Sequence, residues 1–83
     1  MDIPRIKEIK FMEDYKIIVS FIDGYKVIYD VMEDIKTIPY FKELLNDKDL
    51  FKSATIDESK TVITWNEMID LPSDTIKEYG VAI

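Results

Sequence analysis

The side chains best able to do chemistry in this chain are carboxylates. Aspartate and glutamate supply 17 of the 83 residues, whereas histidine and cysteine are absent. The sequence therefore excludes an imidazole base, a thiolate nucleophile, a disulfide and a zinc site built from histidine or cysteine. Any catalysis would have to rest on carboxylates, lysines or hydroxyl groups.

Three of the acids have a spacing that suggests cation binding. Asp70, Asp74 and Glu78 are four residues apart, so a continuous helix would place them on one face as oxygen ligands for a divalent cation. The spacing of an EF-hand loop is absent, and a helix-terminal Asp74 with a solvated Glu78 explains the same pattern. We therefore expect no metal site and no cofactor.

No catalytic motif is complete. Two isolated glycines cannot form a phosphate-binding loop, and the serines have no histidine to activate them. Among seventeen carboxylates some pair is always available, so a pair does not by itself indicate a glycosidase. The sequence predicts a protein with no catalytic residue, and a small hydrolase is the least favoured class.

The charge of the chain restricts its partners. The net charge is −6, of which residues 32–83 carry −5. This charge repels nucleic acid and anionic membrane surfaces. No apolar run approaches the roughly 18 residues of a membrane span, and the first ten residues lack the apolar core of a signal peptide. We expect a cytoplasmic protein that binds neither nucleic acid nor membrane directly.

The clearest structural signal is Asp23-Gly24 between two runs rich in β-branched and aromatic residues, which predicts a β-hairpin. A two-residue loop would pair Phe21 with Lys26 and mix apolar with charged positions. A three-residue loop, residues 22–24 with a left-handed Gly24, keeps the apolar positions opposite each other. The face predicted to be buried then consists of Tyr15, Ile17, Val19, Phe21, Tyr25, Val27, Tyr29 and Val31.

Two elements are predicted around this hairpin. Residues 5–12 form a first strand with Ile9 and Phe11 inward. Residues 38–46 form a short helix with a proline in its first turn. Asp30, at the end of the hairpin, is expected to accept a hydrogen bond from a neighbouring backbone N–H. The apolar face of the helix is predicted to be Ile38, Phe41 and Leu45.

The remainder of the chain predicts two strands and a helix. The strands are residues 52–56 and 61–65, joined by a polar turn. The helix begins near Pro72 and stops at Gly80. Residues 1–83 are thus expected to form a single α+β domain with a small, mostly antiparallel sheet.

A partner-binding site is predicted in the second half of the chain. Trp65, the only tryptophan, is either a core residue or an interface anchor. Met68 follows it closely, and Asp70, Asp74 and Glu78 supply negative charge. We expect these five residues to contact a small basic protein, with the acids steering the approach and the apolar side chains supplying buried area.

Three segments in order resemble one small bacterial family. Residues 21–31 contain Phe-Ile-Asp-Gly and a following Tyr-Asp, residues 49–51 read Asp-Leu-Phe, and residues 65–76 begin with Trp and continue through Asp-Leu-Pro-Ser-Asp. This order is similar to the Domain of Unknown Function 2442 family, and it covers nearly the whole chain. Two departures are Asn66-Glu67-Met68, where many relatives have Pro-Asn-Gly, and Ile76-Lys77, where they have Leu-Tyr.

The resemblance implies a compact α+β fold and assigns no catalytic residue. Larger relatives resemble this domain joined to a helix-turn-helix module. Family members also tend to be encoded beside another short protein, which implies an antitoxin-like or regulatory role in a two-protein pair.

The sequence leaves one alternative function open. An acidic mimic of nucleic acid, or an anti-defence protein, would occupy a basic groove through regularly spread carboxylates. A homodimer through an exposed strand edge is compatible with either function, because small open sheets leave edges to cover.

Overall fold

The computed structural model describes residues 3–83 and has an α+β fold, as predicted. Its strands form two antiparallel sheets, with orders β1-β2-β3-β7 and β4-β5-β6. The elements are, in order, β1 Ile6–Phe11, β2 Lys16–Phe21, β3 Lys26–Asp30, α1 Val31–Thr37, a 3₁₀-helix Pro39–Lys42, α2 Glu43–Asn46, α3 Lys48–Phe51, β4 Thr55–Ile56, β5 Val62–Thr64, β6 Asp70–Pro72, α4 Ser73–Tyr79 and β7 Val81–Ala82.

The β2–β3 hairpin has the predicted three-residue loop. The Phe21 N–H donates to the Tyr25 carbonyl at 2.8 Å, and Gly24 has the left-handed φ of +91° that the loop requires. The Asp23 carboxylate accepts from the Tyr25 N–H at 3.0 Å. Tyr25 was expected on the buried face, yet it is exposed because it lies at the hairpin tip. The predicted register is confirmed at two pairs of residues, Ile17 with Tyr29 and Val19 with Val27.

Strand β1 is one residue shorter at each end than predicted and contains a bulge. Ile6 lies opposite Phe21, whereas the next paired residue is Glu8, opposite Ser20. The irregularity at Lys7 brings Ile6 and Ile9, three residues apart, to the same side of the sheet. Ile6 is fully buried, and Ile9 packs against the core as predicted.

Helix α1 was not predicted, because Val31 was expected to extend the hairpin face. Instead, Oδ1 of Asp30 accepts from the Met32 N–H at 3.1 Å and caps the helix. The predicted role of Asp30 as a backbone anchor is thus confirmed. The cap and the acidic first turn, Glu33 and Asp34, favour a helix at this point. Val31 and Ile35 are buried on its inner side.

Residues 38–46 form two helical pieces where a single helix was predicted. Pro39 opens the 3₁₀-helix, in agreement with its predicted place in the first turn. Phe41 is buried as expected, but Leu45 is exposed and Leu44 is buried in its place. The tighter 3₁₀ turn rotates the side chains that follow it, so the α-helical period does not apply across the junction.

The strands form two sheets where the sequence predicted one, and β4, β5 and β6 make up the second. Residues 52–56 are a strand only at Thr55–Ile56, because α3 ends at Phe51 and residues 52–53 form a turn. Strand β5 matches the second predicted strand. Strand β6 was not predicted, and Leu71 on it lies opposite Ile63.

Helix α4 matches the predicted C-terminal helix and connects the two ends of the chain. The buried hydroxyl of Ser73 donates to the Pro4 carbonyl at 2.5 Å. After Gly80 the chain turns back into β7, which pairs with β3 and was not predicted. A Cβ at Gly80 would lie 2.6 Å from the Ile76 carbonyl oxygen and 2.8 Å from the Val27 side chain. Glycine is therefore required here for space.

The inner face of the four-stranded sheet packs against residues from the helices and from the second sheet. The buried residues contributed from outside the four-stranded sheet are Val31, Ile35, Phe41, Leu44, Phe51, Ile63, Trp65, Ile69, Leu71 and Ile76.

Within residues 3–83, no helix is both long and apolar enough to cross a bilayer.

We predict that Gly80→Ala lowers the free energy of unfolding by about 1–3 kcal/mol, because the new methyl group must displace backbone or a core valine. Urea denaturation followed by Trp65 fluorescence measures the change. An unchanged transition midpoint would contradict the close approach of α4 and β3.

We predict that Asp30→Ala lowers the free energy of unfolding by about 1 kcal/mol through loss of the α1 cap. Asp30→Asn is the matched control, since its side-chain oxygen still accepts from the Met32 N–H. Equal losses in the two variants, in the same denaturation assay, would show that the cap is not the cause.

Candidate partner-binding surface

Trp65 belongs to the core. Its side chain is 7% exposed, and its indole N–H donates to the Phe51 carbonyl at 2.8 Å. The Phe51 ring is stacked on the indole, and the Phe41 ring meets it edge-on, with centroids 6.4 and 6.3 Å away. A tryptophan with its polar group and its ring faces engaged in this way offers little area for docking.

The turn after Trp65 exposes Met68. The Asn66 side-chain oxygen accepts from the backbone N–H groups of Met68 and Ile69, at 2.8 and 3.0 Å. The Trp65 N–H donates to the Ile69 carbonyl at 2.9 Å and closes the turn. Ile69 is buried beneath the turn, whereas Met68 is 64% exposed. The triplet Asn66-Glu67-Met68 therefore forms this turn.

The three predicted acids are exposed but do not share one helix. Asp70 lies on β6, opposite Thr64, and the helix begins only at Ser73. Asp74 and Glu78 are one turn apart on α4. The continuous helical face that a cation site would need is thus interrupted, and no set of three acids within residues 3–83 could hold a metal ion.

Lys77 does not neutralise these acids. It is the only basic residue after Lys60, and its Nζ lies 3.3 Å from Oδ2 of Asp23 on the hairpin. The same ammonium lies 5.4 and 4.9 Å from the ring centroids of Phe21 and Tyr25. The Tyr25 N–H and then Lys77 lower the pKa of Asp23. Sequence reasoning missed this contact, since the two residues are 54 positions apart.

The result is an uncompensated acidic segment, defined here as residues 66–78. Across residues 3–83 the Lys77–Asp23 contact is the one ion pair, so the exposed acids of the acidic segment have no cationic partner. These acids are Glu67, Asp70, Asp74 and Glu78.

A partly buried pair, Tyr29 and Asp34, is the arrangement most similar to a catalytic site. The Tyr29 hydroxyl donates to Oδ2 of Asp34 at 2.6 Å, beside a pocket of about 390 Å³. Burial, then the bond to Asp34, raises the pKa of Tyr29 above its usual value of 10. Burial also raises the pKa of Asp34, although the bond from Tyr29 opposes this. Burial explains both shifts without invoking catalysis.

The Tyr29–Asp34 pair predicts a pH dependence of stability. Folding raises the pKa of the Asp34 carboxyl, so the folded state holds this proton more tightly than the unfolded state does. The contribution of this proton to the free energy of unfolding is therefore complete below the unfolded pKa of 3.8 and is lost as the pH rises through the folded pKa. We predict that Asp34→Asn becomes progressively more stable than the wild type between about pH 3 and pH 7. Urea denaturation at several pH values measures this difference.

Tyr29→Phe is the matched variant for this prediction. It removes the hydrogen bond that lowers the pKa of Asp34, so it should enlarge the loss of stability with rising pH. A constant difference between wild type and Asp34→Asn at all pH values would contradict the assignment.

Comparison with known proteins places the chain in a family. No curated protein and no solved structure matches it significantly. One family model, described as Protein of unknown function (DUF2442), matches residues 6–82, a range that runs from β1 to β7. The family that the order of the hairpin, Leu-Phe and Trp motifs resembles is thus confirmed, and the chain belongs to the DUF2442 family.

Proposed function

We propose that this protein is a non-enzymatic binding module that docks a small basic protein through its acidic segment. The observation that carries the proposal is the position of Lys77, the one basic residue within the segment. Lys77 is paired with Asp23 on the hairpin, which leaves the exposed acids of the segment without an ion-pair partner. A basic partner would supply the counter-charge.

The exposed methionine and the acids have complementary parts in such a contact. The acids raise the rate of encounter with a basic surface, with a strong dependence on salt. Met68 supplies flexible apolar area that adapts to a partner pocket. Trp65 lies in the core beneath this surface and anchors the start of the turn that exposes Met68.

The turn that carries Met68 is held in place before binding. Asn66 accepts two backbone hydrogen bonds, and a third, from Trp65 to Ile69, closes the turn. Less conformational entropy is lost on binding when the contact residue is already ordered. This order supports a docking role for the segment.

The most specific form of the proposal is the antitoxin-like or regulatory member of a two-protein pair in the cytoplasm. It rests on the family resemblance and on the shortage of cations in the acidic segment. In this form the module would act by covering a basic surface of its partner, without chemistry of its own.

Charge changes on Asp70 and Asp74 test this function more cleanly than a change at Trp65. The indole is closed off by Phe51 and Phe41, and the turn that exposes Met68 begins at the same residue. Replacing Trp65 would therefore disturb folding and the proposed docking site together, whereas both aspartates are exposed.

The proposal predicts that Asp70→Lys/Asp74→Lys weakens capture of a basic protein by at least about tenfold, because the double variant reverses two charges of the acidic segment. The tagged protein is used to recover partners from a lysate of its own cells at low and high salt, followed by mass spectrometry. Trp65 fluorescence verifies that the variant is folded.

A matched control separates the acidic segment from net charge. Glu13→Lys/Asp49→Lys changes the net charge by the same amount, at exposed positions outside the segment. The control should retain the partner. Equal loss in both double variants would indicate attraction by overall charge, as expected of an acidic mimic of nucleic acid, and would contradict docking through this segment.

A further inference from the structure

The outer face of the four-stranded sheet carries an apolar row. The antiparallel registers place Lys10, Ile18, Ile28 and Val81 opposite one another, so their side chains point to the same side of the sheet. Val81 is 68% exposed, and Ile83, two residues further along and on the same side, is also exposed. We call Ile18, Ile28, Val81 and Ile83 the outer row.

None of the described helices packs on this row. The buried side chains of α1 and α4, such as Ile35 and Ile76, belong to the same core as the inner face of β2 and β3. Ile18 and Ile28 are half-buried, yet they are neither core residues nor packed against the core. The outer row is thus an apolar strip without a partner in the part of the chain that the structure describes.

The charges beside the outer row have a symmetric arrangement. Two residues along the strands on one side, Lys16 lies opposite Asp30; two residues along on the other side, Ser20 lies opposite Lys26. A two-fold axis along the outer row would place β3 of a second copy over β3 of the first. Asp30 of each copy would then lie over Lys26 of the other copy, so the contact would contain two such pairs. Asp30 caps α1 through Oδ1, which leaves Oδ2 free to accept from a lysine.

We propose that the outer row is a self-association surface on which a second copy of this chain packs face to face about that two-fold axis. Ile18 and Ile28 would pack on their counterparts, and two Asp30–Lys26 pairs would border the contact. Closed two-fold dimers are the commonest symmetric assemblies. The two Asp30–Lys26 contacts favour this arrangement, whereas the same axis brings Lys10 over its own copy at the β1 end of the row and opposes it.

The face is favoured over the strand edge for this contact. The free edge of β1 has a bulge at Lys7 and presents the exposed charges of Glu8 and Lys10, features that discourage edge pairing. Strands about 4.8 Å apart, three of them five or six residues long and β7 two residues long, cover at most roughly 300 Å² per copy. The total of about 600 Å² lies below the roughly 1,200 Å² of standard specific interfaces, so the dimer should be weak and should form only at high protein concentration.

Sedimentation velocity of the purified protein from about 1 µM to 500 µM tests the proposal. The wild type should change from monomer to dimer within this range. Val81→Glu should weaken dimerisation by at least about tenfold, because it places two carboxylates in an apolar contact. Its wild-type side chain is largely exposed, so the variant should fold.

Two further variants make the test specific. Ile22→Glu changes a similarly exposed residue outside the outer row and outside the acidic segment, and it should dimerise as the wild type does. Lys26→Glu should weaken the dimer, because it faces Asp30 with a like charge. A monomer at every concentration, undiminished dimerisation of Val81→Glu, or undiminished dimerisation of Lys26→Glu would each overturn the proposal. None of the three variants lies in the acidic segment, so failure of the dimer proposal would leave the partner-binding proposal untouched.

Discussion

The register of the β2–β3 hairpin determines which side chains the rest of the molecule can use. With three residues in the loop and a left-handed Gly24, Val19 lies opposite Val27, and both belong to the core. A shift of one residue would bring Ile18 and Ile28 inward and expose the present core face. The packed inner face of the sheet and its unpartnered outer row therefore both follow from one turn.

The C-terminal helix transmits this constraint to the acidic segment. Gly80 lies against Ile76 and the Val27 side chain, and Ser73 is bonded to the Pro4 carbonyl, so α4 is held at both ends. In that position Lys77 reaches the hairpin tip and pairs with Asp23. The acidic segment therefore lacks a counter-charge because of the way in which α4 packs on the sheet. The proposed binding role depends on this lack of a counter-charge.

The sequence by itself determined the local features. Asp-Gly between β-branched runs predicted the hairpin and its loop, Asp30 predicted a backbone anchor, and Pro72 and Gly80 predicted the last helix, because turn and cap chemistry depends on a few adjacent residues. Three ordered motifs also identified the family. The absence of cysteine and histidine was enough to restrict the possible chemistry.

Only the tertiary structure decided the features that depend on distant residues. Strand β6 exists because Leu71 pairs with Ile63, and β7 because Val81 pairs with Ile28, and neither short strand has a pattern of its own. Helix α1 lies in a stretch with β-branched residues, whose intrinsic helix propensity is low. The burial of its side chains in the core outweighs that low propensity. The placement of Trp65 in the core and of Lys77 on the hairpin came from contacts between segments, and such contacts are invisible to composition and spacing.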